Sequence, residues 1–284
     1  MADADVPRRI EGGLMDVDAF VGLARTRRSV REFESGRRLR REDLLAICEA
    51  GRWAPSGANT QPWHFVVVDD PAIIAKVTQV FVRQTERLYA NVPKFPHVHK
   101  KFLANTMAII VVCGDPRYQA AYPQSEVSPE LKREYAENSY RIWLVGLGAA
   151  VQNLQLAVAA AGLTSAWLSG GGEDHTAAEL RALLKIPSAL LPVATVPIGA
   201  PRKQAKSRWR APLDSLLSWN TFERSKLKTD GDIRFYIEEL RAHAMYRGSE
   251  AMEAWPDYAE IAERLPSLKR SALRKIARKK SAPA

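Results

Sequence analysis

The sequence predicts a mixed fold of helices and strands, with one core over residues 16–217 and a helical extension over 218–284. Three observations carry this reading. Residues 107–113 (MAIIVVC) form a continuous apolar run of strand length, as expected of a strand buried on both faces. Residues 129–161 form one long helical stretch whose second half is apolar nearly all round, which demands burial in a core or against another subunit. The order helix, helix, strand, helix, strand, long helix, strand, helix, strand does not give the strict alternation of a doubly wound fold.

Residues 1–15 read as a flexible leader. Asp16 or Asp18 can cap a helix in which Val17, Phe20, Val21 and Ala24 share a face, running to Thr26. The cluster Arg27, Arg28, Ser29, Val30, Arg31 closes that helix and turns into Glu32 and Phe33. A second helix spans about 41–51, striped by Leu44, Leu45, Ile47 and Cys48. A Pro- and Gly-containing loop leads to a strand at 64–69 (HFVVVD). Asp70 and Pro71 then start a helix reaching about Tyr89. Residues 91–102, with Pro93 and Pro96, are irregular and could cover a pocket. The strand at 107–113 and a Tyr/Pro/Ser loop at 116–129 precede the long helix, which Gly162 ends as a C-terminal cap. A strand at 164–168, the turn Ser169, Gly170, Gly171, Gly172, a helix at 175–185 and a last strand at 192–198 complete the core. Beyond Leu217 the texture turns polar, with helical segments near 233–246 and 250–264 and a basic stretch at the end.

With 284 residues, 46% hydrophobic and 26% charged, the chain has ample material for a core. No uninterrupted apolar run approaches the ~20 residues of a membrane span. The N-terminus carries acids and no apolar segment, so no secretory signal is expected. Two cysteines, Cys48 and Cys113, stand far apart and fit a reducing, cytoplasmic setting in which both act as buried small hydrophobes. The net charge of +10 makes nucleic acid a partner class to weigh. That charge is uneven, however. One block lies in 269–280, which has no acid, and another in 25–41, where an anionic small molecule would account for it equally well.

The most informative stretch is residues 53–63, WAPSGANTQPW. Proline and glycine fix a loop there, while Trp53, Asn59, Gln61 and Trp63 supply aromatic faces and amide hydrogen bonds. Such a loop suits a flat heteroaromatic ligand, and the nearby arginines suit its anionic parts. Guanidinium is the natural partner of phosphate, because its planar fork donates paired hydrogen bonds.

Several segments together resemble the FMN-dependent nitroreductase family. They are RRSVREF at 27–33, APSGANTQPW at 54–63, QNLQLA at 152–157 with Gly162 and Leu163, VPIGAP at 196–201, and Lys206-Ser207-Arg208. They occur in the family's order across most of residues 20–217, leaving the leader and the extension uncovered. The resemblance implies an α+β, three-layer α/β/α fold, with a central, mostly antiparallel sheet flanked by helices. It also implies a homodimer with FMN at the subunit interface and NAD(P)H as electron donor. The acceptor would be a nitroaromatic, a quinone or another conjugated small molecule. By the same resemblance, Arg27, Arg28 and Ser29 hold the flavin, and Arg31 faces its pyrimidine edge, where a cation would favour the reduced ring. Lys206 and Arg208 close on the phosphate. Pro55, Ser56 and Asn59 reach the ring from the opposite subunit, whereas Gln61 and Trp63 shape the loop and the core. Ser169, Gly170 and Gly171 present backbone N–H groups to the ring, glycine letting the main chain approach a flat surface. The family often has a Pro-x-Glu-Gly-type sequence here, so the register of that turn is open by one residue. No side chain is assigned as a catalytic acid or base, since the cofactor performs the chemistry. Related branches of the family dehalogenate their substrates or fragment the flavin, and these motifs do not separate the branches. Specificity is expected from 91–102 and 115–129, whose Phe95, Tyr118 and Tyr122 could stack on a substrate or serve the core.

Other chemistry fares worse. The five histidines show no metal-ligand spacing, and no metal is expected. Ser169 lacks the context of a hydrolase nucleophile. Gly170, Gly171 and Gly172 are not followed by the Lys-Ser/Thr of a P-loop. A different class of function remains: a cationic helix at 268–280, striped by Leu268, Ala272, Leu273 and Ile276, could meet nucleic acid or a membrane surface. A solvated or dimer-wrapping tail is the plainer account, and nucleic acid is not the expected partner.

Overall fold

A computed structural model of the chain describes residues 16–91, 100–121, 128–203 and 210–235. The chain divides into two compact units, 1–84 with 100–205 and 85–99 with 206–284. The first carries helices α1 (Val17–Thr26) and α2 (Arg41–Arg52), strand β1 (Trp63–Val68) and most of α3 (Pro71–Asn91). It continues through β2 (Ala108–Gly114), α4 (Pro129–Ala160), β3 (Thr164–Ser165), α5 (Asp174–Leu184) and β4 (Leu191–Gly199).

The sheet has the order β1-β2-β4-β3 and every pairing in it is antiparallel. β2 is its centre and is buried along its whole length. Its side chains alternate between two cores, as strand geometry requires. Ile109, Val111 and Cys113 join Ile74, Val77 and Phe81 of α3 and Leu180 of α5. Ala108, Ile110 and Val112 join Leu44 and Ile47 of α2 and Val151, Leu154 and Val158 of α4. The result is the expected three-layer α+β architecture. Each fully buried Ile, Leu or Val contributes roughly 1.5–3 kcal/mol, so these two aliphatic layers dominate the stability of the sheet.

Local signals set most element ends. Asp16 caps α1 by accepting from the Asp18 N–H (3.3 Å). Asp70 accepts from the N–H groups of Ala72 (2.7 Å) and Ile73 (3.3 Å) and starts α3. Ser128 caps α4, with Pro129 in the first turn. Gly162 ends α4 with φ +70°, in the left-handed region that a side chain disfavours. The strand expected over 164–168 is shorter than the sequence suggested. Only Thr164 and Ser165 pair continuously with β4, and Leu168 returns as a single bridge to Thr195. After Leu168 the chain leaves the sheet to form the turn at 169–172.

α4 is long and apolar enough to cross a membrane by composition alone. One side of it is core: Trp143, Leu147, Val151, Leu154 and Val158 are buried. The other side is open, with Leu144 44% and Val145 71% exposed.

The described part of the second unit, beyond the end of α3, has two short 3-10 turns (Leu213–Ser215 and Arg224–Lys226) and helix α6 (Asp230–Phe235). Thr229 and Asp232 fix the start of α6: the Asp232 carboxylate accepts from the Thr229 N–H and hydroxyl, both 2.8 Å. The remainder of the helices expected over 233–246 and 250–264, and the cationic segment 268–280, lie outside the described residues.

Candidate functional site

α1 ends at Arg27, whose N–H still donates to the Leu23 carbonyl (3.3 Å). The chain then becomes an extended strip along one end of the sheet. Ser29 bridges Ser165 in parallel, and the Val30 N–H donates to the Ser165 carbonyl (2.9 Å). Further along, Phe33 bridges Pro201, the Glu34 N–H donates to Ala200 (3.0 Å) and the Arg202 N–H donates to Glu32 (3.0 Å). Val30 and Phe33 are buried and anchor the strip, whereas Ser29 is exposed and Arg27, Arg28 and Arg31 are half-buried. Arg28 is held by one bond from Nη1 to the Arg27 carbonyl (2.9 Å). Its Nε is buried and has no hydrogen-bond partner among the described residues. A buried guanidinium N–H without an acceptor is costly, and an anionic ligand would supply the acceptor.

The strip rests on a buried polar pair that the sequence motif had marked without explaining. Gln155 of α4 is buried and donates from Nε2 to the Ser165 hydroxyl (3.3 Å). Gln155 thereby buttresses the segment to which Ser29 and Val30 are bonded.

Three residues after Ser165, Leu168 and Thr195 exchange two backbone bonds, each 3.0 Å. The 3-10 turn Ser169–Gly172 follows. Ser169 is exposed and Gly170 half-buried, but Gly171 is buried at the base of the turn. A Cβ on Gly171 would lie 2.6 Å from Thr195 Oγ1, so only glycine fits there. The Gly171 N–H donates back to the Leu168 carbonyl (3.4 Å). The turn thus presents Ser169 and Gly170 outward on a base made by Gly171. Beside it opens a groove of about 650 Å³ whose lining includes Tyr140, Trp143, Ser169, Gly170, Glu173 and Arg181.

Two charged residues that sequence reasoning missed complete this region. Glu173 ends the turn, and its carboxylate accepts from Gln84 of α3 and packs beside Gly170. Lys100 opens the 3-10 helix Lys100–Asn105. Burial, and then the neighbouring Arg31 charge, pull its pKa down to about 8, against the opposing pull of Glu173. Lys100 therefore lies within electrostatic reach of both Arg31 and Glu173. Lys100 carried no signal in the sequence, because it sits in a run of lysines and histidines with no periodicity. Glu173 could have been suspected only from its place directly after the glycines.

The 53–63 loop has a different character. Ala58, Asn59 and Gln61 all have positive φ (50°, 51° and 47°), a strained run for residues with side chains. Its polar groups are largely satisfied within the loop. The Gln61 N–H donates to Ser56 Oγ (3.0 Å), the Thr60 hydroxyl to the Gly57 carbonyl (3.0 Å), and the Asn59 N–H to the Ser56 carbonyl (3.1 Å). Pro55 and Ser56 pack on α4 at Gly146, whose hydrogen points where a Cβ would sit 3.5 Å from Ser56. Pro55 and Asn59 are exposed. Within the chain the loop therefore stands on α4, while the arginine strip stands on the β3 end of the sheet.

Of the remaining expected contacts, Lys206 and Arg208 lie outside the described residues, as do Phe95 and Tyr122, and Tyr118 is exposed. Burial pushes the thiols of Cys48 and Cys113 up to about 11 and about 12, so both are held as inert neutral thiols. No cluster of metal-ligating side chains occurs among the described residues.

The sequence model described as "Nitroreductase family" matches residues 24–200. An Archaeoglobus fulgidus protein named "Putative NADH dehydrogenase/NAD(P)H nitroreductase" is 31% identical over 179 residues, covering 63% of this chain and 83% of that protein. An iodotyrosine deiodinase of Haliscomenobacter hydrossis is 32% identical over 192 residues, covering 63% and 78%. Among solved structures, a BluB-like flavoprotein from Clostridium difficile superposes with a TM-score of 0.57 at 21% identity, covering 73% of this chain and 100% of that one. The arginine strip, the strained loop and the glycine turn all fall inside the matched span, and the chain belongs to the nitroreductase family.

Proposed function

We propose that this nitroreductase-family oxidoreductase binds FMN and passes hydride from NAD(P)H to a conjugated small-molecule acceptor. The observation that carries the reading is the buried Arg28 Nε, which lacks an acceptor among the described residues and stands beside the exposed Ser29 hydroxyl and the half-buried Arg27 and Arg31. Three guanidiniums and a hydroxyl on one pinned strip suit the phosphate and the polar edge of FMN. Ser169 and Gly170 offer an uncluttered main chain for a flat ring, with Gly171 and Thr195 holding the turn in place. When bound, FMN supplies the redox centre, taking hydride from the nicotinamide and giving it to the acceptor. The residues of this chain bind and orient it and set the charge around it.

The same reading makes the protein a homodimer. The exposed Leu144 and Val145 of α4, with Val17 and Phe20 of α1 and Leu45 of α2, form apolar surface that a second copy would cover. The strained loop would then offer Pro55, Ser56 and Asn59 to the partner's site. Within this activity, a halogenated aromatic acceptor is a specific second reading, favoured by the likeness to the Haliscomenobacter deiodinase.

The test is direct. Purified protein should be yellow and should release FMN on heating, and acceptors mixed with the reduced protein in stopped flow should reoxidise it at rates that rank the substrate classes. Colourless protein that cannot be reconstituted with FMN would overturn the reading.

A further inference from the structure

The described part of the second unit exposes a concentration of large apolar side chains. Leu213, Leu216, Leu217, Trp219, Phe222 and Leu227 all face solvent, Trp219 being 75% and Phe222 63% exposed. Single apolar residues on a surface are ordinary, whereas a group of them marks a binding surface. The loop that carries the two aromatics is closed by its own hydrogen bonds. Lys226 Nζ donates to the Leu217 carbonyl (2.5 Å) and to the Glu223 carboxylate (2.6 Å), and the Glu223 N–H donates to the Ser218 hydroxyl (3.2 Å). Asn220 takes the left-handed conformation (φ +59°), and the Thr221 N–H donates back to the Trp219 carbonyl (2.6 Å). These bonds bring 217 beside 226 and 218 beside 223, which leaves Trp219 and Phe222 at the tip. Glu223 is neutralised by Lys226, while the exposed Arg224 stands in no ion pair among the described residues.

We propose that the loop 217–227, with Leu213 and Leu216 before it, docks the protein on an anionic membrane surface. Aromatic and leucine side chains enter the boundary between headgroups and acyl chains, where one side is apolar and the other wet. Backbone that enters this boundary needs its polar groups answered. Bonds within the loop answer the Thr221 and Glu223 N–H groups and the Leu217 and Trp219 carbonyls. Cations around the loop then meet lipid phosphates. Residues 206–228 hold six Lys and Arg against Asp214 and Glu223. The next acids, Asp230 and Asp232, start α6, and Asp232 is buried. Charge decides between the occupants. A second copy brings the same excess, +10 over the chain, and the cores of protein interfaces are depleted in charged residues. Nucleic acid would take the aromatics and the cations but has no place for the leucines. An anionic bilayer offers both the opposite charge and an apolar interior. The arginine strip belongs to the other unit, and docking through this loop requires no flavin.

The experiment is co-sedimentation of the full-length protein with vesicles of phosphatidylcholine alone and of phosphatidylcholine with one third phosphatidylglycerol, at low and high salt. Wild type should bind the anionic vesicles about tenfold more tightly than the neutral ones, and high salt should weaken that binding. Trp219→Ser combined with Phe222→Ser should lose about tenfold or more on anionic vesicles. Arg224→Gln should lose about fivefold. Trp219→Phe should bind like wild type while losing much of the tryptophan quenching that brominated lipid produces. Wild type that stays in the supernatant at low salt overturns the proposal. So does binding that survives the paired serine substitutions, which would assign it to the basic end of the chain. Paired substitutions that dissociate an oligomer in sedimentation velocity, while wild type ignores vesicles, would overturn it in favour of a second copy as the occupant. If the paired variant does not fold, equal quenching in wild type and Trp219→Phe overturns the proposal instead. None of these readouts depends on flavin, so the flavin reading stands or falls separately.

Discussion

The arginine strip and the 53–63 loop are the two polar regions that the sequence offers to a ligand, and they are built in opposite ways. The strip is relaxed, extended backbone, bonded to β3 and to the chain after β4, and it leaves a buried side-chain donor, Arg28 Nε, without an acceptor among the described residues. The loop is strained backbone, with three residues at positive φ, whose polar groups answer one another. The difference teaches which region needs a ligand from its own chain. The strip has a requirement that binding would meet. The loop satisfies much of its hydrogen bonding internally and offers an exposed rim that includes Pro55 and Asn59, which suits a part completing a neighbour's site.

The strongest way to break this comparison is to separate the copies. Val145→Glu on the open side of α4 should weaken self-association on the order of a hundredfold, as expected for an unpaired charge placed in an apolar interface. Sedimentation would report that change, and FMN retention should fall with it although no proposed contact is touched. A monomer that keeps its FMN would mean that the loop serves no neighbour. Arg28→Met attacks the strip itself. It should cost roughly ten- to hundredfold in FMN affinity by fluorescence titration, the range for a charge-assisted hydrogen bond. It should leave the dimer intact, and unchanged affinity would remove the strip from the site.

Gly171→Ala tests whether the turn is as tightly seated as the contact with Thr195 implies. Overpacking there should cost about 1–3 kcal/mol. That would lower the melting temperature of the cofactor-free protein by several degrees, with no effect if the turn can shift outward. The smallest effect is expected in the loop. Ala58→Gly relieves a left-handed residue worth about 1 kcal/mol but adds a comparable flexibility to the unfolded chain. Its melting temperature should stay within about 1 °C of wild type. A large gain would show that the strain at Ala58 is not balanced locally.

Much of the fold was legible because its signals are local. The apolar run at 107–113 became β2, whose alternate residues feed the cores on both sides of the sheet. Asp70, Ser128 and Gly162 fixed helix ends by cap chemistry that needs no distant partner. Periodicity failed at 164–168, where a run of strand-like residues pairs for only two positions before leaving the sheet for the glycine turn. Within the site, Arg28 and Ser29 were visible as a motif. Gln155 was visible only as a letter in one: its bond to Ser165 joins residues ten positions apart on two elements.

By itself the sequence determined the elements, the two apolar layers and the family motifs, since periodicity, caps and short motifs are properties of neighbouring residues. Only the tertiary structure decided which donor is left waiting and which charges meet. Arg28 and Arg31 are a short step apart in the chain, yet the acceptor that Arg28 Nε lacks among the described residues and the lysine that Arg31 acts on depend on how the strip lies along β3. Lys100 and Glu173 are separated by most of the core, and β2, α4 and the turn must all be in place before their charges are felt. Desolvation and Coulomb forces act through space, and no pattern along the chain records them.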